Sequence, residues 1–152
     1  MRLREALAGQ EFFAGLDGAQ LDSLARCARL REFAPGRQLL SVDEPAECFY
    51  LLISGSVCLS VRLAGGSDLT IETLGAGQML GWSWLVPPYR CQFDARAMER
   101  GWAIAFEADC LRRSMEDAPR LGFALMTRFV PVISERLHAT RLRILELGEA
   151  AA

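Results

Sequence analysis

The chain contains no lysine and no asparagine, and it has a single histidine, His138. Its 17 basic residues are therefore all arginine, set against 19 acidic ones for a formal net charge of −2. That balance argues against a broad electrostatic grip on nucleic acid. One histidine is too few for a histidine-built metal centre and leaves a catalytic triad only His138 to draw on. No apolar stretch approaches the roughly 18 residues that a membrane span needs, because polar residues and glycines interrupt every run. The N-terminus, MRLREALAGQEFF, carries charges where a signal peptide would have its apolar stretch. There is no C-x-x-C: Cys27, Cys48, Cys58, Cys91 and Cys110 are odd in number and widely spaced, with no local ligand pair for an iron–sulfur cluster. They are expected to be free thiols that act as small apolar residues in a reducing cytoplasm. The adjacent carboxylates Asp43-Glu44 and Glu116-Asp117 lack a nearby acid–base partner and read as solvated corners, so no enzymatic activity is expected.

What is present is a chain of 152 residues that is 51% hydrophobic and 24% charged, enough for one folded domain to bury a core without disulfides or metal. Residues 1–28 read as helical. Asp17 is placed to cap, Gln20 stands at the third helical position of a capping box, and Leu21, Leu24, Ala25 and Ala28 supply an apolar face. Pro35-Gly36 marks a turn, and from 29 to 106 the pattern is of short strands between turn residues. Phe49 to Ile53 is a continuous apolar run that fits a strand buried on both faces. Val57, Leu59, Val61 and Leu63 alternate with Cys58, Ser60 and Arg62, and Ala64-Gly65-Gly66-Ser67-Asp68 forms a hairpin loop before Leu69, Ile71 and Thr73. Phe93, Ala95, Ala97 and then Trp102 to Phe106 restore strands around Gly101. About eight short strands at this spacing imply an antiparallel roll, closed or sandwich-like.

Residues 109–147 read as helical again, with a stop near Asp117-Ala118-Pro119. Phe123, Met126, Val130, Ile133, Leu137, Thr140, Ile144 and Leu147 recur at alternating steps of three and four, a heptad seam that buries one stripe against a partner helix. Leu121, Leu125 and Phe129 form a second stripe suited to rest on the roll. The seam predicts a homodimer, with Val130, Ile133, Leu137, Thr140 and Ile144 at its centre. Pro131 is expected to kink or split the helix. Ser134, Arg136, Arg141 and Arg143 flank the seam, so the arginines are expected to find carboxylates on the roll, or the pairing is not simply parallel.

A helical piece, a roll with glycine corners and a long helix together resemble the cyclic nucleotide-binding domain of the catabolite activator protein (Crp/Fnr) family. The resemblance rests on Phe12-Phe13 to Leu16, the helix from Leu21 to Cys27, Pro35-Gly36, the strand and corner Phe49–Val57, and Leu74-Gly75-Ala76-Gly77. It implies a mainly β jelly roll with N-terminal helices and a long C-terminal dimerisation helix, filling 1–152 as a single sensor domain. It also implies a phosphate-binding cassette over 81–93, with Gly81, Trp82, Ser83, Arg90 and Cys91 as the ligand-binding equivalents. This cassette departs from the family: Trp82 stands in place of a glutamate, Cys91, Gln92 and Phe93 follow the arginine, and Asp43 replaces a glycine. A lost carboxylate forfeits a charge-assisted bond worth about 1.5–3 kcal/mol, and an indole adds bulk where ribose would sit.

Arg90 is left with three roles: binding a phosphate or carboxylate, stacking on Tyr89 or a tryptophan, or pairing with an acid such as Asp94. Trp82 and Trp84, one residue apart, are expected on the same side of a strand. The reading is a non-enzymatic cytoplasmic sensor of a small anionic or aromatic ligand, a cyclic nucleotide being one option, that signals through the dimer helix. The alternative is a ligand-free protein-interaction and dimerisation module with Trp82 filling the pocket. No metal, membrane or direct nucleic-acid partner is expected; the chain reaches Ala152 with no recognition helix, so a DNA reader would come from another protein.

Overall fold

The structure, a computed structural model, describes residues 2–151. The helical N-terminal piece contains α1 (Leu3–Ala8), a 3-10 turn (Glu11–Phe13) and α2 (Gly18–Arg26). The capping box forms as the spacing predicts: the Asp17 carboxylate accepts from Gln20 N–H at 2.8 Å, and the Gln20 side chain accepts from Asp17 N–H at 3.0 Å. α2 buries Leu21 and Leu24 and stops before Cys27, so Ala28 opens the first strand instead of continuing the helix.

Eight strands follow: β1 (Ala28–Phe33), β2 (Gln38–Leu40), β3 (Cys48–Leu52), β4 (Ser56–Arg62), β5 (Asp68–Leu74), β6 (Met79–Leu80), β7 (Asp94–Glu99) and β8 (Gly101–Glu107). They build two four-stranded sheets, ordered β1-β8-β3-β6 and β2-β7-β4-β5, with every pairing antiparallel. The first sheet is covered on both faces, which is why β3 reads as an unbroken apolar run. Phe49 and Leu51 point with Ile104 and Phe106 of β8 toward the helices. Tyr50 and Leu52 point with Ala103 and Ala105 into the space between the sheets, where Val57 and Leu59 of β4 and Ala95 and Ala97 of β7 meet them. Gly101 is required here, since a Cβ on it would lie 2.1 Å from the Ser54 carbonyl oxygen.

α3 (Ala108–Asp117) and α4 (Pro119–Ala151) complete the chain. α4 lays Leu121, Leu125 and Phe129 on the roll, fully buried, while Phe123, Val130, Leu137 and Ile144 face solvent. Pro131 does not split the helix. Pro131 is exposed, as is Thr127, whose carbonyl loses its N–H partner to the proline.

The cysteines correct the sequence reading. Cys27 at the end of α2 and Cys110 in the first turn of α3 are bonded as a disulfide, with Cα atoms 5.5 Å apart, and Cys48, Cys58 and Cys91 are free. A separation of 83 residues hid the pair, because antiparallel β1 and β8 bring the two chain segments side by side.

Candidate functional site

The segment from Gly81 to Phe93 leaves β6, makes a 3-10 turn (Ser83–Leu85) and returns into β7. Gly81 has φ +88°, and a Cβ on it would press to 3.3 Å from Phe49 Cβ, so the backbone passes close over β3 only because glycine stands there. The 3-10 turn sends the two tryptophans to different places, contrary to the strand expectation. Trp84 is fully buried, stacked on Phe49 at 4.6 Å between ring centres and edge-on to Phe129 at 5.4 Å. Its indole Nε1 has no hydrogen-bond partner among the described residues. Trp82 stays half-buried and meets Phe93 edge-on at 6.4 Å.

Gly81, Trp82, Ser83 and Cys91 line one cavity with Leu40, Ala46, Cys48, Leu59, Gln92, Phe93 and Arg136. Its volume is about 20 Å3, space for about one water molecule. Arg136 reaches into its wall from α4. Its side chain is 6% exposed, and it donates to the Glu72 carboxylate on β5 and, at 3.1 Å, to the Met79 carbonyl. Arg143 binds the same hairpin, donating to the Thr70 carbonyl at 3.0 Å, and also pairs with Glu146 on its own helix. Of the arginines flanking the seam, only Arg136 finds the carboxylate on the roll that the sequence suggests; Arg143 reaches a carbonyl there and takes its carboxylate from α4, and Arg141 is exposed.

Arg90 is not part of this cavity. It is exposed, its strand segment bridges Pro45, and its guanidinium donates to the Asp43 carbonyl at 2.7 Å. Neither structural role weighed for it applies. The cation over the Tyr89 ring is Arg112 of α3, at 4.5 Å, which also donates to the Trp84 carbonyl. Asp94 is occupied by Val42 N–H at 2.9 Å and the Gln38 amide at 3.3 Å. Asp43 itself has φ +69°, the left-handed conformation that explains glycine as the alternative at this corner.

A second cavity, of about 200 Å3, shares Leu40, Cys48 and Cys91 with the first and adds Ser41, Glu44, Glu47 and Tyr50. Its two carboxylates make it unfavourable for an anion. Burial pushes the Cys48 and Cys91 thiols and the Tyr50 phenol above their ordinary pKa values; the Arg29 and Arg31 charges only partly offset this at Cys48. All three groups are therefore neutral at pH 7. Sequence reasoning missed Arg136 and Arg112 as residues of this region. The only signal for Arg136 was an arginine beside an apolar seam, and nothing in the sequence links Arg112 to Trp84.

A family model described as cyclic nucleotide-binding domain matches residues 30–118. The chain belongs to this family. It is 24% identical over 143 residues to the CRP-like cAMP-activated global transcriptional regulator of Mycobacterium tuberculosis, covering 94% of this chain and 62% of that regulator. It thus spans less than two thirds of the length of this curated relative. Among solved structures, a candidate cyclic nucleotide-binding protein of Geobacter metallireducens GS-15 superposes with a TM-score of 0.79 at 28% identity, covering 91% of this chain and all of that one. The catabolite activator protein of Thermus thermophilus shares the fold with a TM-score of 0.71 at 22% identity, over 90% of this chain and 62% of that one. The two-sheet roll with its long C-terminal helix is accordingly the cyclic nucleotide-binding fold. Among the described residues no helix is long and apolar enough to cross a membrane.

Proposed function

We propose that this chain is a non-enzymatic regulatory module of the cyclic nucleotide-binding family, working in the cytoplasm as a homodimer through α4, with its roll closed to cyclic nucleotides by its own side chains. The carrying observation is the cavity of about 20 Å3 at Gly81–Ser83, walled by Trp82, Phe93 and Arg136, whose guanidinium is paired with Glu72. A cofactor-sized ligand needs on the order of 300 Å3 or more. The one guanidinium in the cavity wall already has a carboxylate partner, and Arg90 is turned to the Asp43 carbonyl. The exposed seam supports the dimer: Phe123 is 74% exposed, Val130 and Leu137 54%, and Ile144 59%, more apolar surface than a lone helix face leaves in water without cause.

The second reading is a sensor of a small anion, and Arg136 favours it. A ligand carboxylate or phosphate entering beside Gly81, Trp82, Ser83 and Cys91 would displace Glu72 and loosen α4 from β5, converting occupancy into a change in the dimer helix. The cAMP activation named for the M. tuberculosis regulator would carry over only with such an opening.

Isothermal titration and thermal-shift measurements with cyclic AMP, cyclic GMP and cyclic dinucleotides separate the two. The closed-roll reading expects no heat and no shift with any of them. Micromolar binding of one, lost in Arg136→Ala, overturns it in favour of the sensor.

A further inference from the structure

The Cys27–Cys110 bond joins the two helical ends of the chain across the whole roll. Cys27 is 5% exposed and Cys110 half-buried, so Cys110 is the more exposed partner of the bond. The surroundings suit the reduced pair as well as the oxidised one. Ser114 Oγ lies 3.6 Å from Cys27 Sγ and donates its own proton to the Cys110 carbonyl at 3.0 Å. A Cys27 thiol therefore finds an acceptor waiting, in a chain running from S–H to hydroxyl to carbonyl, and reduction leaves no buried donor without a partner. The backbone contact across the bond, Glu107 N–H to the Cys27 carbonyl at 2.8 Å, does not depend on sulfur.

α3 is also what grips the Gly81–Phe93 segment. Two residues beyond Cys110, Arg112 donates to the Trp84 carbonyl and covers the Tyr89 ring. With the bond closed, α3 is fixed to the end of α2. With it open, that tie to α2 is gone, and α3 is held by its packing on α4, by buried Ala108 and Leu111, and by the backbone bonds from Glu107 to Cys27 and, at 2.9 Å, from Ala108 to the Glu47 carbonyl.

We propose that Cys27–Cys110 is a thiol–disulfide exchange site, opened by a dithiol and closed by a disulfide donor, whose state sets how firmly α3 holds residues 82–90. In the opening direction a thiolate of the dithiol attacks Cys110 Sγ, the Cys27–Cys110 bond breaks, and its electron pair leaves on Cys27 Sγ, which takes a proton. The second thiol of the reductant then attacks the mixed disulfide and releases Cys110. Two electrons and two protons pass to the protein, and the reductant becomes a disulfide. Closing is the reverse, with oxidised glutathione as the acceptor. In a reducing compartment, where lasting disulfides are rare, a bond of this kind is a redox-sensing element.

The test uses the whole chain, equilibrated with dithiothreitol or with oxidised glutathione and then alkylated in denaturant. Intact mass should rise by five alkyl groups after reduction and by three after oxidation, matching the free cysteines. Hydrogen exchange at native pH should accelerate about tenfold in 108–117 and 82–90 on reduction. Cys27→Ser and Cys110→Ser, made separately so that one suffices if the other fails to fold, should exchange like the reduced chain and ignore dithiothreitol. Ser114→Ala should shift the glutathione midpoint about 3–10-fold toward the disulfide, because the reduced thiol loses its acceptor. Five alkyl groups after glutathione oxidation, a bond that opens only when the chain is unfolded, or unchanged exchange at 82–90 on reduction would each overturn the proposal.

Discussion

Arg136 of α4 and Glu72 of β5 form an ion pair in which the arginine side chain is 6% exposed and the glutamate 31%. The pair is solvated on one side only. Its main consequence is that neither charge can be removed alone without leaving the other poorly hydrated.

Glu72→Gln should therefore lower stability by about 2–4 kcal/mol, less than for a fully buried pair because Glu72 keeps water contact. The double variant Glu72→Leu with Arg136→Met should recover most of that loss. Urea midpoints of the wild type, Glu72→Leu, Arg136→Met and the double variant give the coupling directly.

The two tryptophans of the cassette region should differ sharply. Trp84→Ala removes a fully buried ring stacked on Phe49 and should cost about 3–5 kcal/mol. Trp82→Ala removes a half-buried ring held by one edge contact and should cost about 1–2 kcal/mol while enlarging the cavity beside Gly81. Thermal unfolding ranks them; equal losses would contradict the two environments.

α4 offers two faces with opposite expectations. Leu137→Glu, on the exposed seam, should leave circular dichroism unchanged and halve the mass measured by light scattering. Leu125→Glu, on the buried stripe, should unfold the domain, since a carboxylate there has no partner.

Asp43→Gly should be neutral or slightly stabilising because φ is +69° at that residue, whereas Asp43→Val should cost about 1–2 kcal/mol. The Arg90 bond should persist in both, since it is made to the backbone carbonyl. Denaturant midpoints for the three proteins check the order.

Stability should fall on the alkaline side. Cys48 and Cys91 start from an ordinary thiol value near 9, and burial raises both in the folded chain. Above that pH the unfolded chain has lost protons that the folded chain still holds, so the free energy of unfolding falls as pH rises. Urea midpoints should hold steady to about pH 8 and decline beyond 9. The decline should shrink in Cys48→Ser with Cys91→Ser, Tyr50 supplying what remains from its ordinary value of 10.

The outline of the fold was readable because each signal is local. The Asp17–Gln20 capping box, the alternation of β4 and the stop before Pro119 each depend on a few adjacent residues. The unbroken run in β3 was equally informative, because a strand covered on both faces has no polar side to alternate with. At the site, Gly81, Trp82, Ser83 and Cys91 were readable as neighbours of one cavity. Arg90 was not separable from Arg112 or Arg136, since which guanidinium reaches which carbonyl depends on α3 and α4 folding back over the roll. The same long-range return hid the Cys27–Cys110 pair and the opposite directions taken by Trp82 and Trp84.

The position of that disulfide also decides where tension would run if the chain were pulled by its ends. Both sheets lie in the loop between Cys27 and Cys110, so a load applied at the termini passes from α2 straight into α3 and α4. The strands of the roll would stay slack until the sulfur bridge gave way. Under mechanical extension the oxidised chain should lengthen only through its helices, and the reduced chain by the whole roll as well.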